Sequence, residues 1–230
     1  GDIAVIEINN VDYATNKRGL NIVVWDLENE VLIDSVAFDT HVKEFTKTRK
    51  VILGKSHYDV CLVGCWYGSN YGSLLNGYAV YQILKGMNLD VLMLNKHTAK
   101  KGDWEIYGTH NEKFIKNFYP TENISPVIPF SQLGELNRYC DTFLAGSDQI
   151  WAYGINRIFD LAYMLNFVDD NKRKISFASS FGHEDDGTPA DKYEAIRNLL
   201  HRFNAISVRE QSGVRLCHEK YGVKATLVLE

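Results

Sequence analysis

One short segment combines residue types that suit the binding of a polar ligand. The segment Asp141–Trp151, DTFLAGSDQIW, is an apolar run that ends in the compact polar residues Ser147, Asp148 and Gln149. Their hydroxyl, carboxylate and amide groups can hold sugar hydroxyls or a phosphate, with Asp148 as an acceptor. Trp151 could stack on the face of a pyranose ring. In the structural alternative, Asp148 caps the next segment and Trp151 fills a gap in the core.

Two further segments end in residues that could face the same ligand. The run Lys174–Gly182, KISFASSFG, ends in small residues that leave room for a ligand close to the backbone at Ser180. Arg209 follows the apolar run AISV, and an arginine at a strand end can bind a carboxylate or phosphate at two points. In the alternative interpretation, Glu210 pairs with Arg215 and forms a structural salt bridge.

The glycine-containing segment GSNYG, residues Gly68–Gly72, follows a predicted strand and opens a predicted helix. Glycine permits close approach of the backbone, and the unpaired N–H groups at a helix start favour an anion. Gly68, Asn70 and Gly72 are therefore predicted to bind a phosphate or carboxylate. The alternative is a simple turn in which Ser73 or Asn70 caps the helix.

The elements that position these segments alternate between strand and helix from Tyr58 onward. Strands are predicted at Val60–Trp66, Asp90–Asn95, Thr142–Ala145, Ile175–Ser179, Ala205–Val208 and Lys224–Leu229, and helices at Ser73–Gly86, Ala190–Arg202 and Ser212–Tyr221. Such alternation predicts an α/β fold, a Rossmann-like parallel sheet with helices on both faces. Because parallel strands end at a common edge, the polar segments should line one crevice.

The amino-terminal residues show a different pattern, with predicted strands and no predicted helices between them. Strands are predicted at Ile3–Ile8, Gly19–Trp25 and Val31–Phe38, separated by turn-forming residues. We therefore expect a small β-rich unit over residues 1–45, a linker over 46–57, and the α/β domain over 58–230.

Composition excludes several classes of protein. The 230 residues are 45% hydrophobic and 23% charged, which favours a packed core over disorder. The net charge is −4 and no long basic run occurs, so nucleic acid is not an expected partner.

Cys61, Cys65, Cys140 and Cys217 lack paired metal-ligand spacing and are predicted to be free thiols. No apolar run approaches the ~20 residues of a membrane span and no signal segment is evident, so we expect a cytoplasmic protein.

The segments GSNYGSLL, DTFLAGSDQIW, KISFASSFG and ISVREQSG occur together in the order and spacing of a known family. Residues from Tyr58 to Glu230 resemble the polysaccharide pyruvyl transferases, which attach a pyruvate ketal to a sugar. The resemblance implies one of two facing Rossmann-like halves, a glycosyltransferase-B-like architecture. It also implies phosphoenolpyruvate as co-substrate, a glycan or lipid-linked sugar as acceptor, and no metal or other cofactor.

The resemblance assigns roles to particular residues. It implies that Arg209 binds phosphoenolpyruvate, and we predict Asp148 and Arg209 as the catalytic residues. One position departs from the family, which commonly shows Asn-x-Gly-Asp where this chain has Ser73. If the missing acid is a base or a hydroxyl acceptor, activity should fall. A chain that supplies only one wall of the cleft is expected to bind weakly and turn over little.

The amino-terminal pattern NKRGLNIVVWD followed by SVAFDT is similar to the carboxyl-terminal part of the interleukin-like inducer domain, a β-sandwich. Two other functions remain open. One is a non-catalytic carbohydrate-binding module, which Ser73 favours slightly. The other is a glycosyltransferase-B-type enzyme that uses a nucleotide sugar. Binding of phosphoenolpyruvate, of glycan alone, or of a nucleoside diphosphate would distinguish the three.

Overall fold

A computed structural model describes residues 3–12, 17–26, 31–37, 51, 53–66, 70–95, 109–128 and 130–228. The chain divides into two compact units, Gly1–Lys50 and Val51–Glu230. The boundary between them falls inside the predicted linker, residues 46–57. Val51, in that predicted linker, is buried in the core of the second unit.

The first unit contains an antiparallel sheet of three strands. These are β1 (Ile3–Asp12), β2 (Lys17–Asp26) and β3 (Val31–Ala37), which pair in that order. The three predicted strands are thus confirmed, with β1 and β2 longer than expected at their ends.

The second unit is built on a parallel sheet, and six strands of it lie in the described residues. They are β4 (Tyr58–Val63), β5 (Val91–Met93), β6 (Cys140–Asp148), β7 (Arg173–Ser179), β8 (Ala205–Val208) and β9 (Thr226–Leu227). Their order across the sheet is β5-β4-β6-β7-β8-β9, and each neighbouring pair is parallel. The predicted Rossmann-like α/β fold is confirmed.

Helical segments connect these strands. The α-helices are α1 (Tyr71–Gly86), α2 (Thr109–Phe118), α3 (Tyr153–Asn156), α4 (Tyr193–Leu200) and α5 (Gln211–Arg215). Shorter 3-10 turns lie at Thr121–Asn123, Phe130–Arg138, Ala162–Met164 and Ala190–Lys192. The predicted helix Ser212–Tyr221 divides, because a π-helical turn, Leu216–Lys220, replaces its second half. Among the described residues, no helix is both long enough and apolar enough to cross a membrane.

Both faces of the sheet are covered by apolar side chains. On β4, Val60 and Leu62 belong to the same buried cluster as the core residues of α1, whereas Cys61 and Val63 belong to a second cluster that includes buried residues of α4. Alternate residues of a strand point to opposite faces, so a nearly continuous apolar run such as YDVCLV is typical of a strand buried on both sides.

The position of α1 is fixed by a close approach at Gly77. A Cβ atom at Gly77 would lie 2.2 Å from the Cβ of Trp66, so only glycine lets the helix pack this near to the chain that follows β4. Trp66 donates its indole N–H to the carbonyl of Leu94 at 2.7 Å, and its ring stacks on Tyr119 with centroids 5.2 Å apart. This packing holds the second turn of α1 close to the chain that follows β4.

The strand order places a topological switch point between β4 and β6. The chain passes from β4 to β5 on one side, but β6 lies on the other side of β4. The connections therefore diverge at the carboxyl ends of β4 and β6, and ligands of open α/β sheets bind at such switch points.

Candidate functional site

Asp148, the last residue of β6, lies at this switch point. Its Oδ2 accepts a hydrogen bond from the hydroxyl of Ser73 in the first turn of α1, and its Oδ1 accepts one from the backbone N–H of Gln149 at 2.7 Å. The same Oδ1 is 3.8 Å from Nη2 of Arg209. Two neutral donors therefore orient the carboxylate, and a guanidinium lies beside it.

The backbone of Asp148 is itself unusual. Its φ of 100° lies in a region that residues with a Cβ atom rarely adopt. Such conformations cost about 1–3 kcal/mol and persist where the surrounding structure enforces them, often at functional sites. The observation agrees with a functional position at the end of β6.

Arg209 lies between two carboxylates. Its Nη2 faces Asp148 and its Nε is 3.8 Å from Oε2 of Glu210. The Glu210 carboxylate is fixed in turn, because its Oε1 accepts the backbone N–H of Phe181 at 2.9 Å. The expected alternative pairing of Glu210 with Arg215 is not the one observed, since Arg215 instead lies 4.0 Å from Glu184.

Ser180 joins the ends of β6 and β7. Its backbone N–H donates to the carbonyl of Asp148 at 3.0 Å, and its carbonyl accepts from the N–H of Trp151 at 3.0 Å. The hydroxyl accepts from the N–H of Gly182 at 2.9 Å, and the residue is only 2% exposed. Ser180 thus lies at the predicted edge, where its polar groups hold the loop together.

Trp151 is a core residue in the structure. It is 1% exposed, its indole N–H donates to the carbonyl of Tyr163 at 3.1 Å, and its ring packs against Phe181 and Phe203. A pyranose cannot stack on an indole enclosed in this way, so the placement corrects the stacking expectation and favours the structural alternative. The backbone bond from Trp151 N–H to the carbonyl of Ser180 directs the chain after Gln149 into the core, where Ile150 and Trp151 are buried.

The amino-terminal end of α1 is capped by the chain itself. The Oδ1 of Asn70 accepts the N–H of Gly72 at 2.8 Å and that of Ser73 at 3.4 Å. Two of the N–H groups that were expected to face an anion are therefore already bonded, as the capping alternative predicts. Gly68 lies outside the described residues.

Ser147 and Gln149 flank Asp148 with different exposure. Ser147 is 5% exposed, whereas Gln149 is exposed. Gly182 faces the Gln149 side chain, since a Cβ atom at Gly182 would lie 3.4 Å from the Gln149 amide. Gln149 is thus the better placed of the two to meet a ligand from solvent.

Charge limits what this cluster can bind. Asp148, Glu210 and Arg209 together carry one net negative charge when all three are ionised. A ligand with hydroxyl groups meets acceptors here, whereas an anion meets one guanidinium already near two carboxylates. Within the described part of the chain, no three His, Cys, Asp or Glu side chains are grouped so as to hold a metal ion.

Cys65, just after β4, borders the same region. Its sulfur is 3.0 Å from the hydroxyl of Tyr163. Burial, reinforced by the nearby charge of Asp148, raises the pKa of the Cys65 thiol to about 11 despite that hydrogen bond. The thiol is therefore protonated near neutral pH and is not an activated nucleophile.

Three participants were not predicted from sequence as site residues. Ser73 was recognised only as a departure from the family, Glu210 only as a structural partner, and Cys65 only as a buried thiol. A usable signal existed for Ser73 and Glu210, because each lies within three residues of a predicted ligand-binding residue at the start of a helix. For Cys65, only its position at a strand end could have pointed to the site.

Comparison with known proteins finds one matching family model. The family model described as polysaccharide pyruvyl transferase matches residues 70–229. This match contains every predicted site residue except Gly68, and it does not extend to the amino-terminal sheet, whose resemblance to the interleukin-like inducer domain stays a prediction. No curated protein matches the chain. No solved structure matches it either.

Proposed function

Because the chain belongs to the polysaccharide pyruvyl transferase family, we propose that it transfers a pyruvyl group from phosphoenolpyruvate to a sugar of a cell-surface polysaccharide, forming a ketal. The single observation that carries this proposal is the pair of Asp148 and Arg209, 3.8 Å apart at the switch point of the sheet. A base and an anion-binding group in contact are what the reaction needs on one side of a cleft.

The proposed reaction adds two sugar hydroxyls to C2 of enolpyruvate and expels inorganic phosphate. One hydroxyl attacks C2 while C3 gains a proton and becomes a methyl group, and the second hydroxyl then replaces the phosphate. The two hydroxyl protons balance the proton taken up at C3 and the one carried away by phosphate. A base for the hydroxyl and stabilisation of charge near C2 both lower the barrier.

In this proposal Asp148 is the base that accepts a hydrogen bond, and then a proton, from the acceptor hydroxyl. Ser73 and the Gln149 N–H hold its carboxylate in place without neutralising it. Gln149, which is exposed beside it, contributes an amide to the sugar. The resemblance implies an acid at the position of Ser73, so in this proposal Asp148 acts as the base without a second carboxylate at that position.

Arg209 is proposed to bind the carboxylate or phosphate of phosphoenolpyruvate. A guanidinium matches a planar or tetrahedral oxyanion through two N–H groups. Because the cluster around Arg209 is net negative, the multiply charged donor requires further cationic groups beyond this cluster. We propose that these come from a facing Rossmann-like half. No metal or cofactor has a role in the proposal.

A cytoplasmic location is part of the proposal, since the four cysteines are free thiols and a reducing compartment keeps them so.

A carbohydrate-binding module is the second candidate, and Ser73 in place of an acid is the observation that favours it.

The test is to incubate the protein with phosphoenolpyruvate and a glycan or lipid-linked acceptor and to follow phosphate release and ketal formation by NMR. Acceptor-dependent release that disappears in Arg209→Ala supports the transferase. Retention of glycan without any binding of phosphoenolpyruvate would favour the binding module, and binding of a nucleoside diphosphate would favour a glycosyltransferase.

A further inference from the structure

Arg209 is held at two different nitrogens by two different carboxylates. We propose that binding of the donor anion exchanges one of these contacts: the terminal Nη2 leaves Asp148 for the anion, while the inner Nε stays with Glu210. The inference rests on the proposed function, because the anion is the phosphoenolpyruvate of that reaction. It assigns Glu210 as a positioning residue and Asp148 as the competitor that the donor displaces.

The contacts of Arg209 with these two carboxylates are long. Nη2 to Oδ1 of Asp148 and Nε to Oε2 of Glu210 each measure 3.8 Å. A direct charge-assisted hydrogen bond between such groups is about 2.7–2.9 Å. A ligand oxygen that reaches Nη2 at that shorter distance therefore gains more than the guanidinium loses by leaving Asp148.

Asp148 does not depend on Arg209 for its orientation. Ser73 holds one carboxylate oxygen and the Gln149 N–H, at 2.7 Å, holds the other. When the guanidinium turns away, both bonds remain. The Oδ1 atom then has a vacated side on which it can accept from a hydroxyl of the acceptor.

Glu210 is anchored on the opposite side. Its Oε1 accepts the N–H of the buried residue Phe181 at 2.9 Å, so Oε2 has a fixed place. The atom of Arg209 that it faces, Nε, is closer to the main chain than the terminal nitrogens and moves least when the guanidinium turns. Glu210 can therefore act as the pivot that keeps Arg209 directed at the anion.

The two carboxylates have equal distances to the guanidinium, and this makes the proposal testable. If each acted on the anion only by through-space repulsion, neutralising either one would tighten binding to a similar degree. Partner exchange predicts unequal effects. Asp148→Asn should lower the dissociation constant of phosphoenolpyruvate about tenfold, equivalent to about 1.4 kcal/mol, whereas Glu210→Gln should leave it unchanged or raise it.

The experiment is calorimetric titration with phosphoenolpyruvate of the protein together with the facing Rossmann-like half proposed above, for wild type and both variants. Asp141→Asn is the matched control, because Asp141 lies on the same strand as Asp148 but about 23 Å away. It makes the same change in net charge and should leave the dissociation constant unaltered. Thermal melts without ligand establish that each variant is folded, and Glu210→Gln retains an acceptor for the Phe181 N–H.

Tighter binding by Asp148→Asn alone supports the exchange. Equal tightening by both variants, or weaker binding by Asp148→Asn, overturns it while the proposed function stands. If neither wild type nor Asp148→Asn binds phosphoenolpyruvate, the donor assignment fails and the exchange fails with it.

Discussion

The hydroxyl of Ser73 donates a hydrogen bond to the carboxylate of Asp148, joining the start of α1 to the end of β6 across 75 residues of sequence. The resemblance to the family leads us to expect an acid at the position of Ser73. In this chain the residue at that position donates a hydrogen bond to the Asp148 carboxylate, whereas an ionised acid there could only accept one.

Replacing Ser73 with aspartate should therefore make stability depend on pH. The introduced carboxyl would face the Asp148 carboxylate, and this repulsion raises its pKa above the unfolded value. The folded variant then holds an extra proton, so stability is regained as pH falls and lost as pH rises. A shift of about one to two pKa units corresponds to about 1.4–2.7 kcal/mol, so we expect Ser73→Asp to be less stable than Ser73→Asn by about that amount at pH 7, and the gap to narrow toward pH 5.

Urea unfolding at the two pH values measures this difference. The asparagine variant matches the size of the new side chain but adds no charge. A gap that is constant with pH would mean that the two carboxyls do not interact.

Replacing Arg209 with lysine should weaken phosphoenolpyruvate binding although the charge is kept. An ammonium is a point donor and cannot reproduce the planar fork of the guanidinium. Loss of a charged hydrogen bond costs ~1.5–3 kcal/mol, or roughly a tenfold to hundredfold rise in the dissociation constant. Arg215→Lys is the control, since Arg215 is half exposed and 4.0 Å from Glu184. Calorimetry should separate the two variants, and equal affinities would remove Arg209 from the anion site.

Asp186 should make a pH-dependent contribution to stability. It is 4% exposed and accepts hydrogen bonds from Lys220 at 2.6 Å, from Thr188 at 3.0 Å and from Tyr221. Burial alone would raise its pKa, but these bonds outweigh burial and hold the pKa below the ordinary value. The stabilisation is therefore present above about pH 4 and is lost as pH falls through the lower, folded-state pKa.

Asp186→Asn removes that charge and should cost about 1.5–3 kcal/mol of unfolding free energy at pH 7. The exposed neighbour Asp185, 3.4 Å from the same Lys220, gives the control. Asp185→Asn should change stability by less than about 0.5 kcal/mol. Denaturation at pH 7 and near pH 3 should show the Asp186→Asn deficit shrinking in acid, and a deficit that persists unchanged would contradict the charge argument.

Two glycines of α1 should respond oppositely to alanine. At Gly77 a new Cβ would meet Trp66 at 2.2 Å, so Gly77→Ala should destabilise by about 1–3 kcal/mol through overpacking. At Gly86 nothing lies within 4 Å, and Gly86→Ala should stabilise by up to about 1 kcal/mol through helix propensity. The melting temperatures of the two variants measure these effects. Similar changes in melting temperature for both variants would argue against the close approach of Gly77 to Trp66.

The edge of the sheet that carries the site was predictable from sequence. Asp148 and Arg209 each follow an apolar run, and parallel strands end at one edge, so the alternating pattern was enough to place both residues at that edge. The contact of Ser73 with Asp148 was not predictable in this way. It depends on β6 lying beside β4, and strand order is decided by packing between distant segments.

The wrong expectation was of a different kind. An indole next to polar residues fits a sugar-binding site and a core equally well in sequence, and only the direction of the chain after Gln149 decides. That direction is set by the bond from Trp151 N–H to the Ser180 carbonyl, a contact between loops on two strands. The residue types around Trp151 do not predict this contact.

The sheltered thiols of this chain make it a convenient background for fluorescence labelling. Cys61, Cys140 and Cys217 are buried, and burial raises the pKa of Cys217 to about 12. With a pKa near 11, Cys65 holds only about one thiolate in ten thousand at pH 7. A cysteine introduced at Ala79, on the exposed side of α1, should therefore react with a maleimide dye long before the native four, without removal of any of them.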